Sequence, residues 1–328
     1  MRMRPLLFFL FILSSLELTD CSSDHLLETA NVPQDPPLSV YVAVFGDIQY
    51  YTTSSTTADM YKKSIEWIIN RSKEGYHFAC VLHTGDITQS NLPYQYEFFY
   101  RATKELAKDI PYFSMIGNHD YTWDGQKITN RKNTLFNDYV RFPLSTKKVV
   151  SWFEEGRMEN VIVENIINGQ HYDLLILEFG PREEVVTWAN EFVKQHPERN
   201  FILLTHEYLE KGGGRRVSNL SCEIQLEKNS YVTPDQLWEQ LIKCNDNIRM
   251  VLCGHVGGLY SITVDVNDYG REIPQIQHNI QGADYRYDNW LMLWDFPVQS
   301  DSARVFIYNT KTGKYYNDQR SLLVFKYR

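Results

Sequence analysis

Apolar residues fall along this chain in short β-branched runs that alternate with amphipathic stretches. The run over 40–45 predicts a first strand, and Gly46-Asp47-Ile48-Gln49 follows it directly. Over 58–72 the period lengthens to that of a helix, with Ile65, Ile68 and Ile69 on one face. A second strand over 78–83 runs into Gly85-Asp86, and a helix over 94–108 comes next. A third strand over 112–116 ends in Gly117-Asn118-His119-Asp120. The stretch 121–170 follows no single period. Beyond it the pattern resumes: a strand over 172–179, a helix over 183–195, and a strand over 201–204 ending in Thr205-His206-Glu207. A helix over 234–244, with Pro234 in its first turn, precedes a strand over 249–252 that ends in Gly254-His255. From Tyr260 the chain reads as β-rich, with strand signals over 290–296, 303–308 and 322–325. Alternation of strand and helix implies an α/β sheet.

The first residues have a different pattern. Arg2 and Arg4 precede an apolar run over 6–13, too short to span a bilayer, and Cys21 follows. This resembles a bacterial lipoprotein signal over 1–21, with Asp20 where a small residue is usual. An ordinary cleaved signal is the other reading. Either implies export, to the periplasm or to a membrane surface through an N-terminal lipid. Residues 22–37, with Pro33, Pro36 and Pro37, read as a tether to a folded domain over 38–328. In an exported chain Cys222 and Cys244 could oxidise, although sequence supplies no geometry for that pair. Cys80 and Cys253 lie in apolar runs and read as buried thiols.

Composition narrows the function by exclusion. The net charge is −8 and no block of Lys or Arg stands out, so the footprint of a nucleic-acid binder is missing. A small phosphorylated substrate held by metal ions needs no such block. With 22 Tyr and 17 Phe the chain has ample material for a filled core.

Candidate chemistry sits at the strand ends. Five of them deliver Asp47, Asp86, Asn118-His119, His206 and His255. Ligands of α/β sheets bind outside the carboxyl ends of strands, so residues far apart in sequence are placed to converge there. Asp and His are donors suited to Mn, Fe or Zn. Taken singly, His206 or His255 reads as a structural residue; taken with the other strand ends, each reads as a ligand. His83 reads as a core histidine, and His77, His171, His196 and His278 as structural or surface residues. Tyr121 and Trp123 either stack on a base or sugar or fill a packing layer. Gly212-Gly213-Gly214-Arg215-Arg216 is either a surface loop or a lid whose arginines bind a phosphate or carboxylate.

In order along the chain, Gly-Asp-x-Gln, Gly-Asp-x-x-Gln, Gly-Asn-His-Asp, a lone His after a strand, and Gly-His-x-Gly resemble the calcineurin-like metallophosphoesterase superfamily. The resemblance covers about 39–260. It implies a four-layer α-β-β-α sandwich and hydrolysis of a phosphomonoester or phosphodiester by metal-activated water. In that family two metals about 3–4 Å apart clamp the phosphate. Carried onto this chain, Asp86 would bridge the metals, and Asn118, His206 and His255 would complete the second position. Asp47 would bind the first metal, and His119 would serve as general acid without binding metal. Three positions depart from the pattern: Gln49 and Gly257 stand where the family has His, and Gln89 where it has Asp. The expected cofactor is therefore one tightly held divalent ion and a weaker, harder one near Asp47 and Gln49. The rival implication is a lipid-anchored binding protein that keeps the fold without catalysis; an intact His119 argues against it.

Overall fold

Strand Asn200–Leu204 shows how the core divides. Ile202 and Leu204 enter one apolar cluster, Phe201 and Leu203 another. Side chains alternate along a strand, so this strand is buried on both faces. The computed structural model describes residues 38–124, 127–128, 130–217, 231–282 and 287–327. The expected signal segment 1–21 with Cys21, the tether 22–37, and Cys222 lie outside them.

Two sheets carry the fold. In the first, Ser39–Phe45 pairs in parallel with His77–His83, which pairs in parallel with Tyr112–Ser114. Antiparallel strands Trp290–Pro297 and Ser302–Asn309 extend its other side. In the second sheet, Gln170–Ile176, Asn200–Leu204, Ile248–Cys253 and Glu272–His278 run parallel to one another. The inner cluster takes residues from both sheets, among them Val42, Val44, Leu174, Ile202, Leu252 and Ile276. The outer cluster packs Glu183–Gln195, through Val185, Ala189 and Val193, onto the second sheet. On the other side Tyr61 of helix Ser55–Lys73 meets Phe45 edge-on at 5.0 Å. Helix, sheet, sheet and helix thus stack in four layers, as the resemblance implies.

Most of the predicted elements are present with shifted ends. The helix expected over 94–108 breaks after Pro93–Thr103 into a short 3-10 turn, Leu106–Lys108. The helix expected over 234–244 is one α-turn, Pro234–Leu237, continued as a π-turn, Trp238–Ile242. Thr233 caps it, accepting from the Gln236 amide while its own amide donates to Gln236 Oε1. Among the described residues, no helix is long and apolar enough to cross a membrane.

Candidate metal centre

Parallel pairing brings strand ends to a common edge, and the loops beyond them carry the candidate residues. Asp86 and His255 have positive φ, 53° and 67°, a conformation that costs non-glycine residues of order 1–3 kcal/mol. Gly85, with φ of 96°, begins the first of these turns. A Cβ there would sit 2.5 Å from His206 Nδ1, so only glycine lets the ring approach.

Donor atoms of Asp86, His206 and His255 lie within 4.8 Å of one another. Asn118 joins them: its Oδ1 is 3.1 Å from His206 Nε2 and 3.1 Å from His255 Nδ1. Asp86 Oδ1 is 3.3 Å from His206 Nε2 and accepts the His119 backbone N–H at 3.0 Å. His206 Nδ1 donates to the Thr84 carbonyl at 2.6 Å, which leaves Nε2 to face the other donors. His255 Nε2 lies 3.7 Å from Glu207 Oε1, the carboxylate oxygen that Arg216 also pairs with. Phe179 packs on both rings, at 5.8 and 5.7 Å, and shields them from water.

Burial alone would lower the pKa of His206. The adjoining Asp86 carboxylate, with Asp47 beyond it, outweighs burial and pushes it up to about 10 in the metal-free protein. Burial, reinforced by His206, pushes His255 down to about 3. Two oxygens and two imidazoles thus converge where a cation would satisfy all four. The set fits a transition metal with nitrogen and oxygen ligands.

His119 stands beside this cluster. Its Nδ1 donates to the Gln89 backbone carbonyl at 2.9 Å, leaving Nε2 for chemistry. The Gln89 backbone, rather than its side chain, holds this ring. His119 and Trp123 line a cleft of about 380 Å³ together with Gln89, Ser90 and Thr122. Trp123 is anchored by its indole N–H to the Asn118 carbonyl, 2.9 Å away.

Three substrate-contact candidates are corrected. Tyr121 borders the same cleft but is 1% exposed, which places its ring in the packing layer, one of its two expected roles. Arg215 lies over the Trp238 ring and bonds Asp235 and Asp265. Arg216 is spent on Glu207. The glycine loop that precedes them is a tight turn closed by Glu210 N–H to the Gly214 carbonyl, with Gly212 and Gly214 amides on Ser261 and Thr263 hydroxyls. His83 is the core histidine expected, fully buried, its Nδ1 accepting from the Gly85 amide. His278 is also buried, with Nδ1 donating to the Leu259 carbonyl at 2.8 Å.

Some site residues escaped the sequence reading. Asp120 accepts the backbone amides of Gly117, Ile87 and Thr88, tying together the loops that carry Asn118 and Asp86. Asn279 and Gln281 follow strand Glu272–His278. That strand runs parallel to Ile248–Cys253, so its end reaches the edge that holds His255. Both amides bond Asp47. The signal was present as a sixth strand end carrying polar residues, hidden because the tail has no Gly-Asp or Gly-His motif.

Comparison with known proteins adds two findings. A family model described as calcineurin-like phosphoesterase matches residues 40–258. The chain is also similar to the uncharacterized protein YvnB of Bacillus subtilis (strain 168), 28% identical over 294 residues. That alignment covers 86% of this chain, which spans about a fifth (21%) of YvnB.

Proposed function

Because the chain belongs to the calcineurin-like phosphoesterase family, we propose that it hydrolyses a small phosphomonoester or phosphodiester with the help of a bound divalent ion. The convergence of Asp86, Asn118, His206 and His255 beside the His119 cleft carries this reading. Those four residues would hold the ion, of a kind that takes imidazole and oxygen donors, such as Mn, Fe or Zn. When bound, such an ion supplies Lewis acidity toward the phosphoryl oxygens and activation of water.

The protein's own groups do the rest. The residues that line the cleft include no arginine, so its polar side chains, Ser90, Thr122 and His119 among them, would orient the substrate. The Gln89 carbonyl fixes the His119 ring with Nε2 outward, where a proton can pass to the departing ester oxygen. A carbonyl orients the ring without neutralising it, as a carboxylate would. Asp120 holds the two ligand loops at a fixed separation through three backbone amides. Phe179 excludes water behind the imidazoles. Trp123 presents a partly exposed ring at the cleft, suited to an apolar or aromatic leaving group.

The test is turnover of aryl phosphate monoesters and diesters by metal-stripped protein, with Mn, Fe or Zn added back. Ion-dependent release of the aryl alcohol is expected. Failure of every ion to support turnover of either ester class would refute the proposal.

A further inference from the structure

The sequence leads one to expect a second, weaker ion at Asp47, Gln49 and a share of Asp86. The hydrogen bonds there are of the wrong kind for it. Two backbone groups of known polarity settle which amide atom is which. The His255 carbonyl lies 3.0 Å from one terminal atom of Gln281, which must therefore be its nitrogen. The Gln281 backbone N–H lies 2.7 Å from one terminal atom of Asn279, which must be its oxygen. Both side chains then turn N–H groups toward Asp47 Oδ2, from 3.2 and 2.8 Å.

The remaining contacts follow from these. Gln281 Oε1 faces Gln49, so the Gln49 atom 2.9 Å from it is a nitrogen. That NH2 spends its second hydrogen on Asp86 Oδ2 at 3.1 Å. Gln49 Oε1, the atom an ion would need, is buried and has no partner among the described residues, while its NH2 is the end that meets Asp86. Asp47 receives two further donors, the Thr84 hydroxyl at 2.9 Å and the His255 amide at 3.1 Å. An ion beside Asp47 Oδ2 would meet the hydrogen ends of the Asn279 and Gln281 amides. Reversing either anchored amide sets oxygen against the His255 carbonyl or NH2 against the Gln281 N–H, leaving polar groups unpaired.

We propose that this amide network, Asn279 and Gln281 on Asp47 with Gln49 linking Gln281 to Asp86, takes the place of the first ion, and that the chain holds a single ion at Asp86, Asn118, His206 and His255. The inference rests on the metal-dependent reading above. In it the three amides are positioning residues. Asn279 and Gln281 bond Asp47, and Gln49 links Gln281 to Asp86 Oδ2 while Asp86 Oδ1 faces His206.

The experiment counts ions rather than turnover. Metal-stripped full-length protein is titrated calorimetrically with Zn2+ and with Mn2+ to millimolar excess, and the Mn2+ form is examined by electron paramagnetic resonance. One ion per chain and the six-line spectrum of isolated Mn2+ are expected, with the count unchanged in Gln281→Ala. Two ions in the wild type, spin-coupled and reduced to one in Gln281→Ala, would overturn the inference, make the amides ligands, and leave the proposed hydrolysis standing. Binding of no ion would overturn both.

Discussion

Replacing Asp120 tests whether the ligand loops are held by the protein or only by the ion. Its carboxylate is fully buried and accepts from three backbone amides: Thr88 at 2.9 Å on Oδ1, and Gly117 at 3.0 Å and Ile87 at 3.2 Å on Oδ2. The Thr88 and Tyr96 hydroxyls also donate to Oδ1. In Asp120→Asn the better rotamer puts the amide oxygen at the Oδ2 position and sets NH2 against the Thr88 N–H, while both hydroxyls rotate to accept. One buried N–H is then lost, at about 1–3 kcal/mol. Asp120→Ala orphans all three, about 3–9 kcal/mol, a large part of the 5–15 kcal/mol typical of a domain. Burial, with Asp86 nearby, pushes the Asp120 pKa up to about 6, which shows that its carboxylate is costly to bury. Removing it returns part of that cost, so the lower half of each range is expected. Urea unfolding of metal-free protein measures the stability, and calorimetry with Zn2+ measures the consequence. Loss of a group that orients metal ligands lowers ion affinity about 10–100-fold. If both variants unfold within about 0.5 kcal/mol of wild type and bind Zn2+ as tightly, the loops are not held by Asp120 and the reasoning fails.

Other expectations follow from the same geometry. His119→Ala should lower turnover by about two to four powers of ten while the bound-ion count stays the same, because the ring is bonded to Gln89 and to no ligand atom; a loss of ion would recast His119 as a ligand. His206→Ala should abolish tight binding in calorimetry, and retention of wild-type affinity would remove His206 from the donor set. Gly117→Ala would place a Cβ 2.2 Å from Asp86 Oδ1 and 2.3 Å from Asp86 N. An overpacked site costs about 1–3 kcal/mol or more, so a lowered melting temperature with weakened ion binding is expected, and a variant like wild type in both would count against this packing. His278 is lowered from 6.5 to about 4 by burial. A folded-state pKa below the unfolded value means that stability is fully present above about pH 6.5 and is lost as pH falls toward 4, by about 3 kcal/mol. In His278→Gln the pH slope of the unfolding free energy across that window should fall by about one proton; an unchanged slope would show that His278 titrates normally.

Much of the centre can be read from local sequence because its parts are local. Each of Asp86, Asn118-His119, His206 and His255 follows an apolar strand directly, and a strand's period and its glycine turn are properties of a few consecutive residues. The α/β class has a similar origin, since strands such as Asn200–Leu204 carry apolar residues on both faces and must be covered on both, whereas the four-layer order was implied only by the family resemblance. What local sequence does not contain is the partner across the edge. Asn279 and Gln281 become neighbours of Asp47 only because Glu272–His278 pairs in parallel with Ile248–Cys253, and no motif within the tail announces that pairing. Arg215 and Arg216 have the sequence of a phosphate-binding loop. Whether a guanidinium is free depends on which carboxylates the fold places beside it, here Asp235, Asp265 and Glu207. Tyr121 was equally ambiguous, because an aromatic ring after a loop packs inward or outward according to the space that distant segments leave. Strand ends, turns and donor types are thus short-range consequences of the chain, whereas burial, ion pairing and the polarity of the Asp47 surroundings are set by contacts between different segments, from nine to more than two hundred positions apart, which only the closed tertiary structure decides.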